Sequence, residues 1–171
     1  MIVGLSVANF TLLHVIISLI GIATGLVVLY SMLANRISAW TGTFLVTTVL
    51  TSATGFLFHS NAIGPPHIVG ALSLLILVFT LLAFYTFRLA GRWRAVYVVT
   101  AILALYLNVF VGVVQAFQKL PALNRLAPLG NELPFAVSQA LVFAVFAALG
   151  WLALKRFHPS TVRTPRQPQT V

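Results

Sequence analysis

Five apolar runs, each long enough to cross a bilayer, leave this chain few folds to choose from. A hydrocarbon core about 30 Å thick is spanned by roughly 20 apolar residues at about 1.5 Å rise each. The runs lie at about Phe10–Leu33, Trp40–His59, His67–Phe87, Trp93–Phe117 and Phe135–Leu154. Hydrocarbon offers no water to backbone amides, so a spanning run satisfies them within its own helix. The expected fold class is therefore all-α, an integral membrane bundle of five transmembrane helices. Residues 1–157 form its single domain, and 158–171 are expected to be a disordered basic tail.

Charge supports the same reading. Charged residues are 6% of the chain and hydrophobic ones 60%, whereas an ordinary soluble domain is about a quarter charged. A net charge of +9 on a soluble face would point to nucleic acid, but here the basic residues fall between the apolar runs. The partner they imply is the lipid bilayer, and no nucleic acid. Arg36, Arg88, Arg92, Arg94, Lys155, Arg156, Arg163 and Arg166 fall on one side, and only Lys119 and Arg125 on the other. That asymmetry predicts an N-terminus outside and a C-terminus in the cytoplasm, the pattern of a multi-pass protein of a bacterial inner membrane. The chain has no cysteine, which excludes disulfides, thiolate metal sites and Fe–S clusters.

The boundaries have physical causes. Asn35, Arg36 and Ser38 end the first run, with Ser38 a candidate N-cap of the second helix. Asn61, Gly64, Pro65 and Pro66 make a turn, and Pro66 and Pro134 suit first helical positions. The one long connection, Lys119 to Leu133, is apolar enough to lie on the membrane as a short interfacial helix.

Polar side chains inside the spans carry the functional reading, because they are costly in hydrocarbon. His14, His59, His67, Gln115 and Glu132 all map to the outer third of the expected bundle, and Asn108 lies deeper. His14, Ser18, Gly21 and Gly25 share a stripe of the first helix; Thr48, Ser52, Gly55 and His59 share one of the second; Asn108, Gly112, Gln115 and Lys119 share one of the fourth. Small residues on such stripes also serve close helix packing, and Thr47, Thr48, Thr51 and Thr54 can bond carbonyls of their own helix. Glu132 complements the positive end of the last helix. For His14 and Asn108 an interhelical hydrogen bond is the rival to a ligand role.

Convergence of these groups would make a polar pocket open to the outside. Two histidines on neighbouring helices can clamp a haem iron, and two with Glu132 can hold a divalent metal. His14, Gln115 and Asn108 can also hydrogen-bond a quinone or another amphipathic small molecule. The inner half of the spans lacks histidine, against a pair of stacked haems. No carboxylate lies within a span, against transport driven through a buried acid.

The stretches TSATGFLF (Thr51 to Phe58), PPHIVGALSL (Pro65 to Leu74) and YLNVFVGVVQAFQKLPALNRLAP (Tyr106 to Pro128) resemble an uncharacterised family of small bacterial polytopic membrane proteins. The resemblance runs from about His14 to Phe157. It implies the same topology and no particular activity. It also implies that His14, His67, Asn108, Gln115 and Glu132 match the family pattern, while His59 stands where a proline is usual.

Three classes of function follow. The first is a non-catalytic membrane protein with a ligand or cofactor in the outer pocket. The second is an accessory or structural subunit of a larger membrane complex, or a homo-oligomer packed through small-residue faces. The third is a small passive transporter. Catalysis has the least support, since no nucleophile and base stand at motif spacing.

Overall fold

In the computed structural model, which describes residues 4–58 and 64–159, every regular element is a helix. In chain order these are α1 (Val7–Leu33), α2 (Thr41–Gly55), α3 (Pro65–Leu81), α4 (Arg92–Lys119), the single turn α5 (Pro121–Asn124) and α6 (Leu133–Arg156). A π-helical turn, Leu82–Thr86, extends α3.

Four segments are long and apolar enough to cross a membrane: Val7–Leu33, His67–Thr86, Arg92–Lys119 and Leu133–Arg156. The second apolar run is the exception. Its helix has 15 residues, about 22 Å at 1.5 Å per residue. Beyond Gly55 the chain tightens, with Phe56 N–H donating to the Ala53 carbonyl at 3.2 Å and Leu57 N–H to that of Thr54 at 3.1 Å.

Local chemistry explains the helix ends. Ser6 N-caps α1 by accepting from Asn9 N–H at 3.2 Å, so the helix begins three residues before the expected Phe10. Asn35 ends it in the left-handed region (φ 57°), which a short amide side chain tolerates better than most. Ser38 does not N-cap α2; its hydroxyl accepts from Trp40 N–H at 3.2 Å and shapes the turn before the helix. Proline stands in the first turn of both α3 and α6, where its missing N–H costs nothing. The 119–133 connection holds the short helix expected there, with Asn124 Nδ2 donating to the Phe117 carbonyl at 3.2 Å to cap α4.

Helix α4 organises the bundle, for it touches every other helix. Neighbours around it run α6, α1, α2, α3, and α3 and α6 do not meet. One end, rich in arginine, is firmly closed. There the Arg94 guanidinium donates to the Leu154 and Phe157 carbonyls at 3.2 and 2.5 Å, satisfying the last turn of α6. Asn35 Oδ1 accepts from His158 N–H at 2.6 Å, so the head of the expected tail is held against the end of α1. Residues 160–171 lie outside the described residues.

Core packing is concentrated toward this arginine-rich end. Val28, Leu29, Met32, Phe44, Leu45, Tyr97, Val98, Ala101 and Leu105 form one buried cluster. Between Thr11 and Ile20, by contrast, no residue of α1 is buried, and from Val109 to Gln118 only Phe117 of α4 is. The bundle is dense for part of its length and opens toward the other end.

Gly25 shows how close the dense part is. A Cβ there would lie 2.5 Å from Leu105 Cδ1 and 2.8 Å from Phe44 Cε2, whereas at Gly112 the nearest atom, Ile22 Cδ1, would be 3.6 Å away. Gly25→Ala is therefore expected to destabilise the bundle by about 1–3 kcal/mol through overpacking, and Gly112→Ala to leave it nearly unchanged. Unfolding of the two variants in detergent checks this, and equal stability would contradict it.

Candidate functional site

The site rests on a polar knot at the limit of the dense core. Asn108 is 9% exposed, and its Nδ2 donates to Thr48 Oγ1 at 3.2 Å. An amide in apolar surroundings is tolerated when paired in this way. Gly21 of α1 makes room for the pair: a Cβ there would lie 3.3 Å from Thr47 Oγ1 and 3.5 Å from both Asn108 Nδ2 and Thr48 Oγ1. Three helices thus meet around one small polar contact. A second tie, Ser52 Oγ to Ser73 Oγ at 3.1 Å, holds α2 to α3 beside it.

Two turns further from the arginine-rich end, the same three helices present a second polar set. Seven residues return a helix to nearly the same face, about 10 Å along its axis. His14 is seven residues from Gly21, Thr54 seven from Thr47, and Gln115 seven from Asn108. Helix α1 runs antiparallel to α2 and α4, so all three steps lead the same way. At this level His14 Nδ1 lies 2.8 Å from Thr54 Oγ1, while Gln115 is exposed and His14 half-buried. Here α1 and α2 stay tied through His14 and Thr54, while Gln115 of α4 is exposed. Between the two polar levels, on the same face of α2, the Thr51 hydroxyl is buried without a hydrogen-bond partner. Such orphan groups are rare enough to mark a place the fold has not optimised for packing.

The wall beside His14 is aromatic. Phe58 meets the imidazole edge-on, with centroids 5.2 Å apart, and Phe10 packs against Phe58 at 5.1 Å. The hydrogen bonds also assign the ring's tautomer. Thr54 Oγ1 lies 2.6 Å from the Leu50 carbonyl, the usual destination of a helical threonine proton. With that single proton committed, the Thr54 oxygen accepts from His14, whose Nδ1 therefore carries the hydrogen. In the neutral ring Nε2 is then an acceptor.

The remaining sequence candidates are engaged elsewhere. His67 Nδ1 accepts from Gly64 N–H at 3.3 Å, closing the first turn of its own helix, and its ring rests on Phe56 with centroids 5.8 Å apart. His14 instead meets Thr54 and Phe58, on a different side of the end of α2. Glu132 accepts from Leu129 N–H at 2.9 Å and Asn131 N–H at 3.0 Å, so its carboxylate closes the loop before α6. His59 lies outside the described residues. Among the described residues no three His, Asp or Glu side chains are grouped to hold a metal ion. The structure thus joins His14 to Thr54 and Asn108 to Thr48, leaves Gln115 exposed, and gives both His67 and Glu132 a local bond.

Sequence reasoning missed the second role of Thr54, hidden by the bond to its own helix, and the partner of Gln139, whose Nε2 ties α6 to the Phe110 carbonyl at 3.2 Å. The recurring seven-residue step was the signal for the first. A lone glutamine gave none for the second. No family model, curated protein or solved structure matches the chain.

The backbone amides of Leu129 foremost, and of its neighbours, hold the Glu132 carboxyl below the ordinary value. A depressed carboxylate contributes order that is present above its unfolded pKa and lost as pH falls through the folded one. The amide resonances of Leu129 and Asn131 are therefore expected to shift together, with a midpoint below about pH 4.3, and Glu132→Gln to abolish that titration. A midpoint at or above the ordinary value would contradict the assignment.

Proposed function

We propose that this chain is a small, non-catalytic protein of a bacterial inner membrane that binds an amphipathic small molecule between α1, α2 and α4. The single observation that carries the reading is the polar pair His14 and Thr54, two turns beyond the Asn108–Thr48 contact, where burial along α1 and α4 thins out. There His14 is half-buried and Gln115 exposed. A ligand with a polar ring and an apolar chain suits such a place: polar atoms meet His14 and Gln115, and the chain lies along the lipid-facing helices.

Topology completes the proposal. With the arginine-rich end in the cytoplasm, α2 crosses as the fifth span, the N-terminus is outside and His14 and Gln115 lie toward the periplasmic side. The short α2 is compatible with this, because its end lies within the bundle and its neighbours carry the hydrophobic match. Among the cofactors considered, a quinone fits the site better than haem or a divalent metal. His14 and His67, among the described residues, lean on different sides of α2, and Glu132 closes its own loop.

Binding of a decyl-benzoquinone and decyl-hydroquinone mixture to the protein in lipid nanodiscs, followed by equilibrium dialysis, tests the reading. The wild-type chain is expected to retain the compounds above empty nanodiscs. Gln115→Leu should weaken retention about fivefold, in line with the loss of one hydrogen bond, and Leu141→Ala on exposed α6 should leave it unchanged. Retention equal to empty nanodiscs would reject the proposal.

A further inference from the structure

We infer that the groove between α3 and α6 is a binding site for one anionic phospholipid, its acyl chain lying along α4 and its phosphate meeting Arg88 and Arg92. The site is separate from His14 and Thr54 and does not rest on the proposed function. Helix α4 is covered on only part of its circumference. On one flank it takes α6 close: Ile102 Cγ2 lies 3.5 Å from where a Cβ on Gly150 would stand, and Tyr106 packs on Phe143 with centroids 5.9 Å apart. On the other flank Tyr97 meets Phe84, in the π-helical turn that extends α3, at 5.2 Å. Between these flanks α3 and α6 do not meet. The face of α4 left over carries Arg92, Val99 and Leu103, whose spacing of seven and then four residues keeps them on one side of a helix. All three are exposed, Val99 by 41% and Leu103 by 40%. The result is an apolar strip headed by a cation, about 17 Å long at 1.5 Å per residue.

Charge decides which lipid the groove takes. Arg88 and Arg92 are exposed and stand in the turn that joins α3 to α4. Other cations of this end are engaged: Arg94 caps the last turn of α6, and Lys155 Nζ lies 3.6 Å from the centre of the Trp151 ring. The chain has a single acid, and it stands at the opposite end of α6. That helix has 24 residues, a length of about 36 Å and several times the reach of a charge in physiological salt. The Glu132 carboxylate is moreover held by the amides of Leu129 and Asn131. No carboxylate of the chain therefore balances Arg88 and Arg92, and their counter-charge comes from outside it. At the edge of a bilayer that anion is a lipid phosphate. A zwitterionic headgroup carries its own ammonium and gains little, whereas a net negative one gains from both guanidinium groups, whose planar N–H forks match phosphate oxygens. The apolar strip supplies what a free phosphate would not use.

Native mass spectrometry of the full chain, delipidated in detergent and titrated with dioleoyl phosphatidylglycerol or dioleoyl phosphatidylcholine, tests the site. The first phosphatidylglycerol is expected to bind about tenfold more tightly than phosphatidylcholine, a few-fold for each arginine. Arg88→Gln combined with Arg92→Gln should bring that preference below about threefold, while Lys155→Gln combined with Arg156→Gln, at the end of α6, should leave it in place. Val99→Trp puts an indole on the exposed strip and should displace the bound lipid. Circular dichroism checks that each variant keeps the wild-type helix content, and the wild-type comparison of the two lipids stands whatever the variants do. Equal binding of both lipids by the wild-type chain would overturn the inference. So would an equal loss of preference in the two double variants, which would make the attraction a diffuse field, or unchanged phosphatidylglycerol binding by Val99→Trp, which would make it a headgroup contact without the groove. A dimer that Val99→Trp dissociates would overturn it by giving the groove to a second copy of the chain.

Discussion

The bundle depends on one buried amide. Asn108 stands on the helix that every other helix touches, and its hydrogen bond to Thr48 turns a costly group into a specific contact between α4 and α2. Gly21 lets α1 approach the same point. Apolar packing alone has little directional preference in lipid, where tails are as apolar as side chains. A paired amide needing a glycine opposite it sets the register of three helices at once. From this point toward the arginine-rich end, Leu105, Phe44 and Gly25 interlock; toward the other end nothing equivalent continues.

That asymmetry organises the polar chemistry. At the closed end, polar groups finish helix termini: Arg94 completes the last turn of α6, and Asn35 holds the chain that follows it. Two turns from Asn108, toward the other end, His14 and Thr54 repeat the tie between α1 and α2, while Gln115 of α4 is exposed. On the stripe of α1 that faces its neighbours, Gly21 and Gly25 are buried, whereas His14 and Ser18, toward the other end, are half-buried.

Much of this was legible in the sequence. Apolar run length placed four membrane-length helices within a few residues, because burial of the backbone in lipid admits little else. The stripe His14, Ser18, Gly21, Gly25 was readable from helical periodicity, and so was the shared face of Asn108 and Gln115. The second run was misjudged in length, since hydropathy counts Phe56 and Leu57 as continuing a helix that tightens after Gly55. The expectation that His14, His67, Asn108, Gln115 and Glu132 share one pocket was a statement about depth. Depth does not determine partners. His67 and Glu132 lie near backbone amides of their own turns, and a local bond made within three residues forms more readily than one that needs two helices brought together. Side-chain partnerships across helices, such as Gln139 with the Phe110 carbonyl, depend on rotation and register that periodicity leaves open.

The central claim is that α1, α2 and α4 pack tightly at Asn108 and less tightly at Gln115, the end that the proposed topology puts outside the cell. The absence of native cysteine permits a direct measurement, the labelling of single-cysteine variants in intact cells by a membrane-impermeant maleimide. Gln115→Cys is expected to react from outside, and Thr48→Cys, two turns deeper, to react only after unfolding in denaturant. Protection of position 115 from outside together with its labelling from the cytoplasmic side, or equal labelling at both positions, would contradict the account.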